Sequence, residues 1–375
     1  MSAPLPSSAL PRTAAAQRDW LRLIRSPRIG VATFRKLLQE HGTATTALEA
    51  LPQVAASGGV KNYQITSAQA AEQELAAGLA AGAQPLFWGL PPYPAHLADI
   101  ADAPPVLWAR GDPELATDRT IALVGARNAS ALGQRMAGHL ARELGATGWT
   151  IVSGLARGID TAAHEASVAT GTIAVLAGGI DRIYPRENLE LARQIAEEGL
   201  ILSEMPPGLQ AQARHFPRRN RIISGLCPAL VVIEGAAKSG SLISARTALD
   251  QGREVFAVPG HPFDARAAGC NLLIRDGATL VRSAADITDA LDHARPERPV
   301  PGPTPAQPPL PLASPVDPSD LDHRILGLLS PAPISEDALI RQLGSPPPPV
   351  LSVLGELDLQ GRIARHPGGL VSLPA

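Results

Sequence analysis

Thr120-Ile121-Ala122-Leu123-Val124-Gly125-Ala126-Arg127-Asn128-Ala129-Ser130 reads as a short apolar strand that runs into a glycine, a lone cation and a serine just before a helical segment. The pattern recurs twice. Thr150-Ile151-Val152-Ser153-Gly154 leads into Leu155-Ala156-Arg157-Gly158-Ile159-Asp160, and Leu230-Val231-Val232-Ile233-Glu234-Gly235 into Ala236-Ala237-Lys238-Ser239-Gly240-Ser241. Apolar runs without alternation are what strands covered on both faces require. Working outward, similar runs lie at 172–178, 200–204, 254–260 and 279–282, with helical segments at 130–144, 161–170 and 242–251. Strand–helix alternation implies right-handed crossovers and a doubly wound parallel sheet of about seven strands.

Both flanks differ from this core. Residues 1–16, rich in Ala, Pro and Ser, read as a disordered tail without a basic-then-apolar leader pattern. Leu21, Ile24, Phe34, Leu37 and Leu38 then fall at helical spacing around the turn Ser26-Pro27-Arg28-Ile29-Gly30-Val31. This predicts a helical module over 17–80, of SAM or helix-hairpin-helix type. Such a hairpin can hold a DNA phosphate on backbone N–H groups, and a bundle that contacts only protein has the same pattern. The core occupies 85–292. Residues 293–318 are dominated by proline, a semi-rigid spacer with about 3.1 Å of reach per residue when extended. Over 319–375, three helical segments (321–329, 335–343 and 350–360) precede a two-stranded wing turning at Pro367-Gly368-Gly369, the order of a winged helix.

Composition narrows the function. With 33 basic and 35 acidic residues the net charge is −2, so any contact with nucleic acid must come from a local patch. Cys227 and Cys270 are too few for a disulfide scaffold or a four-cysteine metal site and fit a reducing, cytoplasmic setting. No apolar run approaches the roughly 18 residues of a membrane span. Only three lysines occur, Lys36, Lys61 and Lys238, in a chain that otherwise writes Arg, and aromatics make up 3%.

Ligands of open parallel sheets sit at the carboxyl ends of the strands. There the three Gly/Ser/cation loops offer close backbone approach and free N–H groups at helix starts, an extended anion site; ordinary helix capping is the plainer reading of any one loop. Lys238, a compact ammonium beside Ser-Gly-Ser, suits a phosphate. Arg214-His215-Phe216-Pro217-Arg218-Arg219-Asn220-Arg221 sets four arginines around a phenylalanine. Cations tracking phosphates beside an aromatic face for a base are the mixture that binds single strands. A solvated helix start with Phe216 in the core is the alternative. No GxGxxG follows the first strand and no GxxxxGK[ST] occurs, so neither a dinucleotide site nor a P-loop is supported. Asp160 and His164, four apart, could ligate a metal, but a hydrogen bond at the helix start is the simpler role. Glu204 and Glu234 end strands and could serve as acid and base, or only orient neighbouring groups.

These motifs, together with Val255-Phe256-Ala257-Val258-Pro259-Gly260 and Gly269-Cys270-Asn271-Leu272-Leu273-Ile274, resemble in order and without gaps the bacterial DNA-processing (DprA, Smf) family. The resemblance implies an α/β fold: an extended Rossmann-like doubly wound parallel sheet, with a small N-terminal helical module and a C-terminal winged-helix domain. It implies a homodimer that binds incoming single-stranded DNA during natural transformation, protects it and loads the recombinase RecA, with no catalytic residue, cofactor or metal. By motif, Arg127, Ser153, Gly154, Arg157, Phe216, Arg219, Asn220, Arg221, Lys238, Ser239 and Gly240 would line the groove. Phe216 would stack on a base, and Arg219 and Lys238 would neutralise phosphates.

Two positions depart from the family pattern: Ala126 where a serine is usual and Leu132 where a tyrosine is frequent. Neither changes a charge. From Ser319 onward four basic residues face six acidic ones, and segment 350–360 carries Glu356 and Asp358 but no cation, so this winged helix is expected to bind protein rather than duplex DNA. The rival class is a nucleotide-hydrolysing Rossmann enzyme. Such enzymes carry Pro-Gly-Gly-x-Gly-Thr where this chain has Gly-Ala-Ala-Lys-Ser-Gly-Ser.

Overall fold

The computed structural model describes residues 7–294, 318–366 and 369–374. The chain divides into two compact units, Met1–Pro296 and Glu297–Ala375.

The larger unit opens with α1 (Ala14–Arg25), α2 (Val31–His41), α3 (Ala44–Ser57) and α4 (Ala68–Ala80). Thr13 caps α1, its hydroxyl accepting from Ala16 N at 3.2 Å. The inward face of α1 carries Trp20, which meets Phe34 and Phe87 edge-on at 5.0 and 6.2 Å between centroids. A buried indole N–H needs an acceptor. Trp20 Nε1 finds Ala9 O at 2.9 Å, so Ala9 is buried and the chain is fixed before α1 begins. The expected tail over 1–16 is therefore too long, because its own backbone supplies that acceptor; residues 1–6 lie outside the described residues.

Two strands follow that the apolar runs did not disclose: β1 (Gln84–Phe87) and, after a single turn α5 (Ala95–Ala98), β2 (Val106–Gly111). The seven anticipated strands come next. They are β3 (Thr120–Val124), β4 (Thr150–Ser153), β5 (Thr172–Leu176), β6 (Leu200–Ser203), β7 (Ala229–Val232), β8 (Glu254–Ala257) and β9 (Thr279–Leu280). Between and after them run α6 (Ala131–Ala146), α7 (Ile159–Ser167), α8 (Leu189–Glu198), α9 (His215–Gly225), α10 (Gly240–Asp250), α11 (Ala268–Arg275) and α12 (Ala284–Ala294).

All nine strands join one sheet in the order β1-β2-β6-β5-β4-β3-β7-β8-β9. From β6 to β9 every pairing is parallel, whereas β2 lies antiparallel to β6, with Trp108 opposite Ser203, and β1 antiparallel to β2. The all-parallel expectation thus fails at one edge, where an antiparallel partner needs no crossover helix. Phe87 and Val106 belong to the same apolar cluster as Trp20 and Phe34, so these two strands bond the helical module to the sheet.

Alternation along the strands builds a core on each face. Ala122, Val124, Val152 and Val232 pack with Ile222 and Ile223 of α9, Leu226 at its C-terminal cap, and Ala245 and Ala248 of α10. Ile121, Leu123, Ile151 and Val231 pack with Leu140 and Leu144 of α6, Ile159 of α7 and Ile287 of α12. The chain moves from β3 out to β6, then returns along α9 to lay β7 against the free side of β3. Strand order therefore reverses between β3 and β7, and ligands of open α/β sheets generally bind along the carboxyl edge near such a reversal.

The smaller unit contains α13 (Pro318–Leu328), β10 (Ile334–Ser335), α14 (Glu336–Leu343), α15 (Pro347–Leu359), β11 (Ala364–His366) and β12 (Leu370–Ser372), with strand order β10-β12-β11. Leu321, Ile325, Leu339, Val350, Leu354, Leu357 and Val371 form its core. This is a winged helix. The wing residues Pro367 and Gly368 and most of the proline-rich segment lie outside the described residues.

Candidate nucleic-acid interface

The loops after β4, β3 and β7 are neighbours along the carboxyl edge, as the strand order requires. The β4 loop is the most tightly specified. Asp160, in the first turn of α7, accepts from Gly154 N at 3.1 Å and Ala156 N at 3.3 Å through Oδ2. His164 Nε2 accepts from Leu155 N at 3.3 Å, while Nδ1 meets Thr172 Oγ1 at 2.7 Å. Burial, reinforced by the Arg219 charge, holds the His164 pKa down at about 3, so the ring stays neutral and keeps a lone pair for that N–H. Burial raises Asp160, opposed by Arg219 and by the backbone donors. The pair considered as metal ligands is therefore a clamp on the loop, and no group of three or more potential ligands occurs among the described residues. Gly158, at φ 78°, passes so close to the Arg127 backbone that a side chain there would strike Ala126 O and Arg127 O.

Helix α9 sets its first turns against this loop. Arg219 is buried at 6% exposure, donates through Nη1 to Val175 O at 3.2 Å, and leaves Nε without a hydrogen-bond partner among the described residues. Burial lowers its pKa to about 10, with Asp160 opposing the shift and Arg127 adding to it. A Cβ on Gly154 would overlap the Arg219 guanidinium, so glycine is what admits the arginine beneath the loop. Phe216, one turn earlier, is half-buried. Arg127 lies over its ring at 4.6 Å, Arg219 lies 6.0 Å away, and Tyr184 meets it edge-on at 5.9 Å. A pocket of about 270 Å³ results, lined by Arg127, Asn128, Gly154, Tyr184, Phe216 and Arg219 among others. Arg127 has no acidic partner among the described residues. Two cations thus converge on one aromatic ring with a single buried carboxylate behind them, which favours an anion carrying a flat apolar group. A larger depression of about 540 Å³, lined by Glu114 and Asp118 and by no basic side chain, lacks that chemistry.

The β7 loop stands beside the β3 loop. Glu234 accepts from Ser130 N at 2.9 Å and from Ser130 Oγ, and Ser130 Oγ in turn accepts from Gly133 N, capping α6. Lys238 is exposed. Ser239 precedes α10 without capping it; its hydroxyl meets Ser241 Oγ at 2.6 Å, and Gly240 is open to solvent.

The structure thus brings Arg127, Gly154, Arg157, Phe216 and Arg219 to one pocket and sets Lys238, Ser239 and Gly240 on the adjoining loop. It removes two expected residues from the groove. Arg221 is buried on the other side of α9, ion-paired to Glu204 at 2.6 Å and donating to Asp102 O. Ser153 spends its hydroxyl on Leu123 O at 2.6 Å. Arg219 forms the buried wall of the pocket rather than its rim. Arg157 is exposed but forks onto Glu187, with Nη2 to Oε2 at 2.8 Å. Asn220 is half-buried, and its carbonyl accepts from Ser224 Oγ at 3.3 Å. Glu204 orients Arg218 and Arg221, and Glu234 orients Ser130. Tyr184 and Pro185 were missed, although a tyrosine within Asp181-Arg182-Ile183-Tyr184-Pro185-Arg186 is the same aromatic-among-charges signal that singled out Phe216.

Comparison with known proteins is consistent along the chain. Residues 84–292 match the family model for DNA recombination-mediator protein A, 14–77 a DprA-like N-terminal HHH domain and 303–369 a DprA winged helix domain. The DNA processing protein DprA of Bacillus subtilis is 52% identical over 202 residues, 53% of this chain and 68% of the relative. The crystal structure of DNA processing protein A from Streptococcus pneumoniae superposes with a TM-score of 0.62 at 35% identity, over 72% of this chain and 97% of that one. DNA processing protein A from Helicobacter pylori, studied for its single-stranded DNA binding mode, superposes at 0.52 and 29% identity, over 57% and 98%. With its sheet, its pocket motifs and both flanking domains matched, this chain belongs to the DNA recombination-mediator protein A (DprA/Smf) family.

Proposed function

We propose that this protein binds single-stranded DNA across the carboxyl edge of its sheet, one base against Phe216 and the backbone phosphates against Arg127 and Lys238. The observation that carries the reading is the convergence of Arg127 and buried Arg219 on the Phe216 ring, in a pocket over the carboxyl ends of β3, β4 and β5. An aromatic face accepts any base, and a converging pair of guanidiniums demands a negative charge; together they describe a strand whose bases are unpaired. The solved Helicobacter pylori relative studied in this respect supports the same ligand.

As a recombination mediator, the protein would act by binding rather than by chemistry. The carboxylates along the carboxyl edge are already engaged: Asp160 by backbone N–H groups, Glu204 by arginines, Glu234 by Ser130. Protection of incoming strands, loading of RecA, a homodimeric state, a cytoplasmic setting and a role in natural transformation follow from the family resemblance. Among the described residues no helix is long and apolar enough to cross a membrane. The winged helix is proposed to contact protein, its third helix carrying Glu356 and Asp358 and no cation.

The test is competition between single-stranded and duplex oligonucleotides for the purified protein, with a ribose-release assay on nucleoside monophosphates alongside. Preference for the single strand and no ribose release is the expected result. Equal affinity for duplex, or turnover of a nucleotide, contradicts it.

A further inference from the structure

Residues 260–267 form a closed loop beyond β8, between two of the motifs quoted above. Its neck is pinned: Asn271 donates through Nδ2 to Gly260 O at 3.0 Å and accepts from Gly260 N at 3.2 Å, and a side chain on Gly260 would collide with Ala267. Within the loop, Asp264 N donates to His261 O and Ala267 N to Asp264 O. At its tip Phe263 is 95% exposed, with the His261 ring 5.5 Å away. Of the five phenylalanines in the chain, Phe34, Phe87 and Phe256 are core residues and Phe216 is a pocket wall; Phe263 alone stands in solvent. A well-held loop that presents a bare aromatic ring leaves the hydrophobic gain of that ring unrealised until something covers it.

The loop's position indicates what does. Gly235 N donates to Arg266 O at 2.7 Å and Gly269 N to Gly235 O at 2.8 Å, so the loop is hydrogen-bonded directly to the segment bearing Lys238. Asp264 and Arg266 neutralise each other, with Arg266 Nε 3.1 Å from Asp264 Oδ1, so the tip carries no net repulsion toward a phosphate. Strand order sets β8 three places from β4, roughly 15 Å along the edge at the usual strand spacing, a span of a few nucleotides. The sequence along the edge is then aromatic pocket, cationic loops, aromatic tip.

We propose that Phe263 is a second stacking platform for single-stranded nucleic acid, at the outer end of the carboxyl edge and separated from the Phe216 pocket by the Lys238 loop. This rests on the single-strand reading above and adds a second base position to it, so longer strands gain an anchor that shorter ones cannot reach.

The experiment compares binding of oligo(dT) of about 6 and about 15 nucleotides to the full-length protein and to Phe263→Ala, Phe263→Trp and Phe216→Ala. At 95% exposure, Phe263 can be truncated without disturbing the core. Expected is a loss of about 5- to 100-fold for Phe263→Ala on the longer oligonucleotide, none on the shorter, an unchanged salt slope, and recovery in Phe263→Trp. Phe216→Ala should lose affinity for both lengths. Wild-type-like binding of Phe263→Ala to both lengths overturns the proposal, as does an equal loss on both. A change in sedimentation with DNA binding intact assigns the ring to a protein contact and overturns it too. If the wild type binds neither oligonucleotide, the single-strand reading fails first.

Discussion

At the inner end of the carboxyl edge, Phe216 and Arg127 lie beside a buried Arg219, itself packed against a loop clamped by Asp160 and His164. At the outer end, Lys238 and Phe263 stand in solvent on loops joined by backbone hydrogen bonds. The inner half is organised before any ligand arrives and its side chains are costly to change; the outer half is cheap to change and contributes reach. The ligand chemistry thus rests on a buried support, Asp160, His164 and Arg219, whose mutation damages the fold, while mutation of the groups at the surface damages only binding.

The sharpest way to break this comparison is Asp160→Ala. It frees two backbone N–H groups and removes the carboxylate charge that opposes the effect of burial on Arg219; each buried donor left unsatisfied costs about 1–3 kcal/mol. Urea unfolding should show that loss, whereas Lys238→Ala should leave the midpoint unmoved.

Acid should act on the inner half next. The folded pKa of His164, about 3, lies below its ordinary 6.5, so below pH 6.5 the unfolded chain takes up the proton first and stability is lost as pH falls toward 3. His215 is shifted in the same direction by burial and by Arg214 and Arg218; Asp160, raised, opposes the trend only near the carboxylate range. Thermal melts between pH 7 and pH 5 should therefore fall, by roughly 2 kcal/mol at pH 5 from His164. His164→Gln should flatten that dependence.

Phe216→Ala should cost about 1–3 kcal/mol of single-strand affinity with little change in salt dependence, measured by fluorescence anisotropy. Arg157→Ala should change affinity by less than about twofold, since that exposed guanidinium is already forked onto Glu187.

The inner half is the more legible of the two in the sequence, and also where the structure departs from the expected residues. Glycine, serine and cation at three strand ends mark the edge, because glycine permits close backbone approach, serine caps the following helix and a cation draws an anion. Arg221 departs from the groove because its motif is wound into a helix rather than laid out as a line. On α9 successive residues turn about 100°, so Phe216 and Arg219 share a side while Arg221 points across to Glu204. Ser153 was misplaced for a similar reason: a hydroxyl at a strand end has a carbonyl, Leu123 O, within reach of its own sheet. β1 and β2 went unread because a four-residue run containing Pro85, and a six-residue run ending in Arg110-Gly111, carry no strand–helix alternation to announce them. Phe263 had the strongest exposure signal and no sequence signal beyond its rarity.

The most direct test of the division between charge and stacking is a salt titration of oligo(dT) binding to the wild type, Phe216→Ala and Lys238→Ala. The account predicts that Lys238→Ala lowers the slope of log affinity against log salt by about 0.7, one single-strand phosphate contact, and that Phe216→Ala loses affinity at every salt with the slope unchanged. Wild-type behaviour of both variants would place the strand elsewhere and contradict the assignment of this edge.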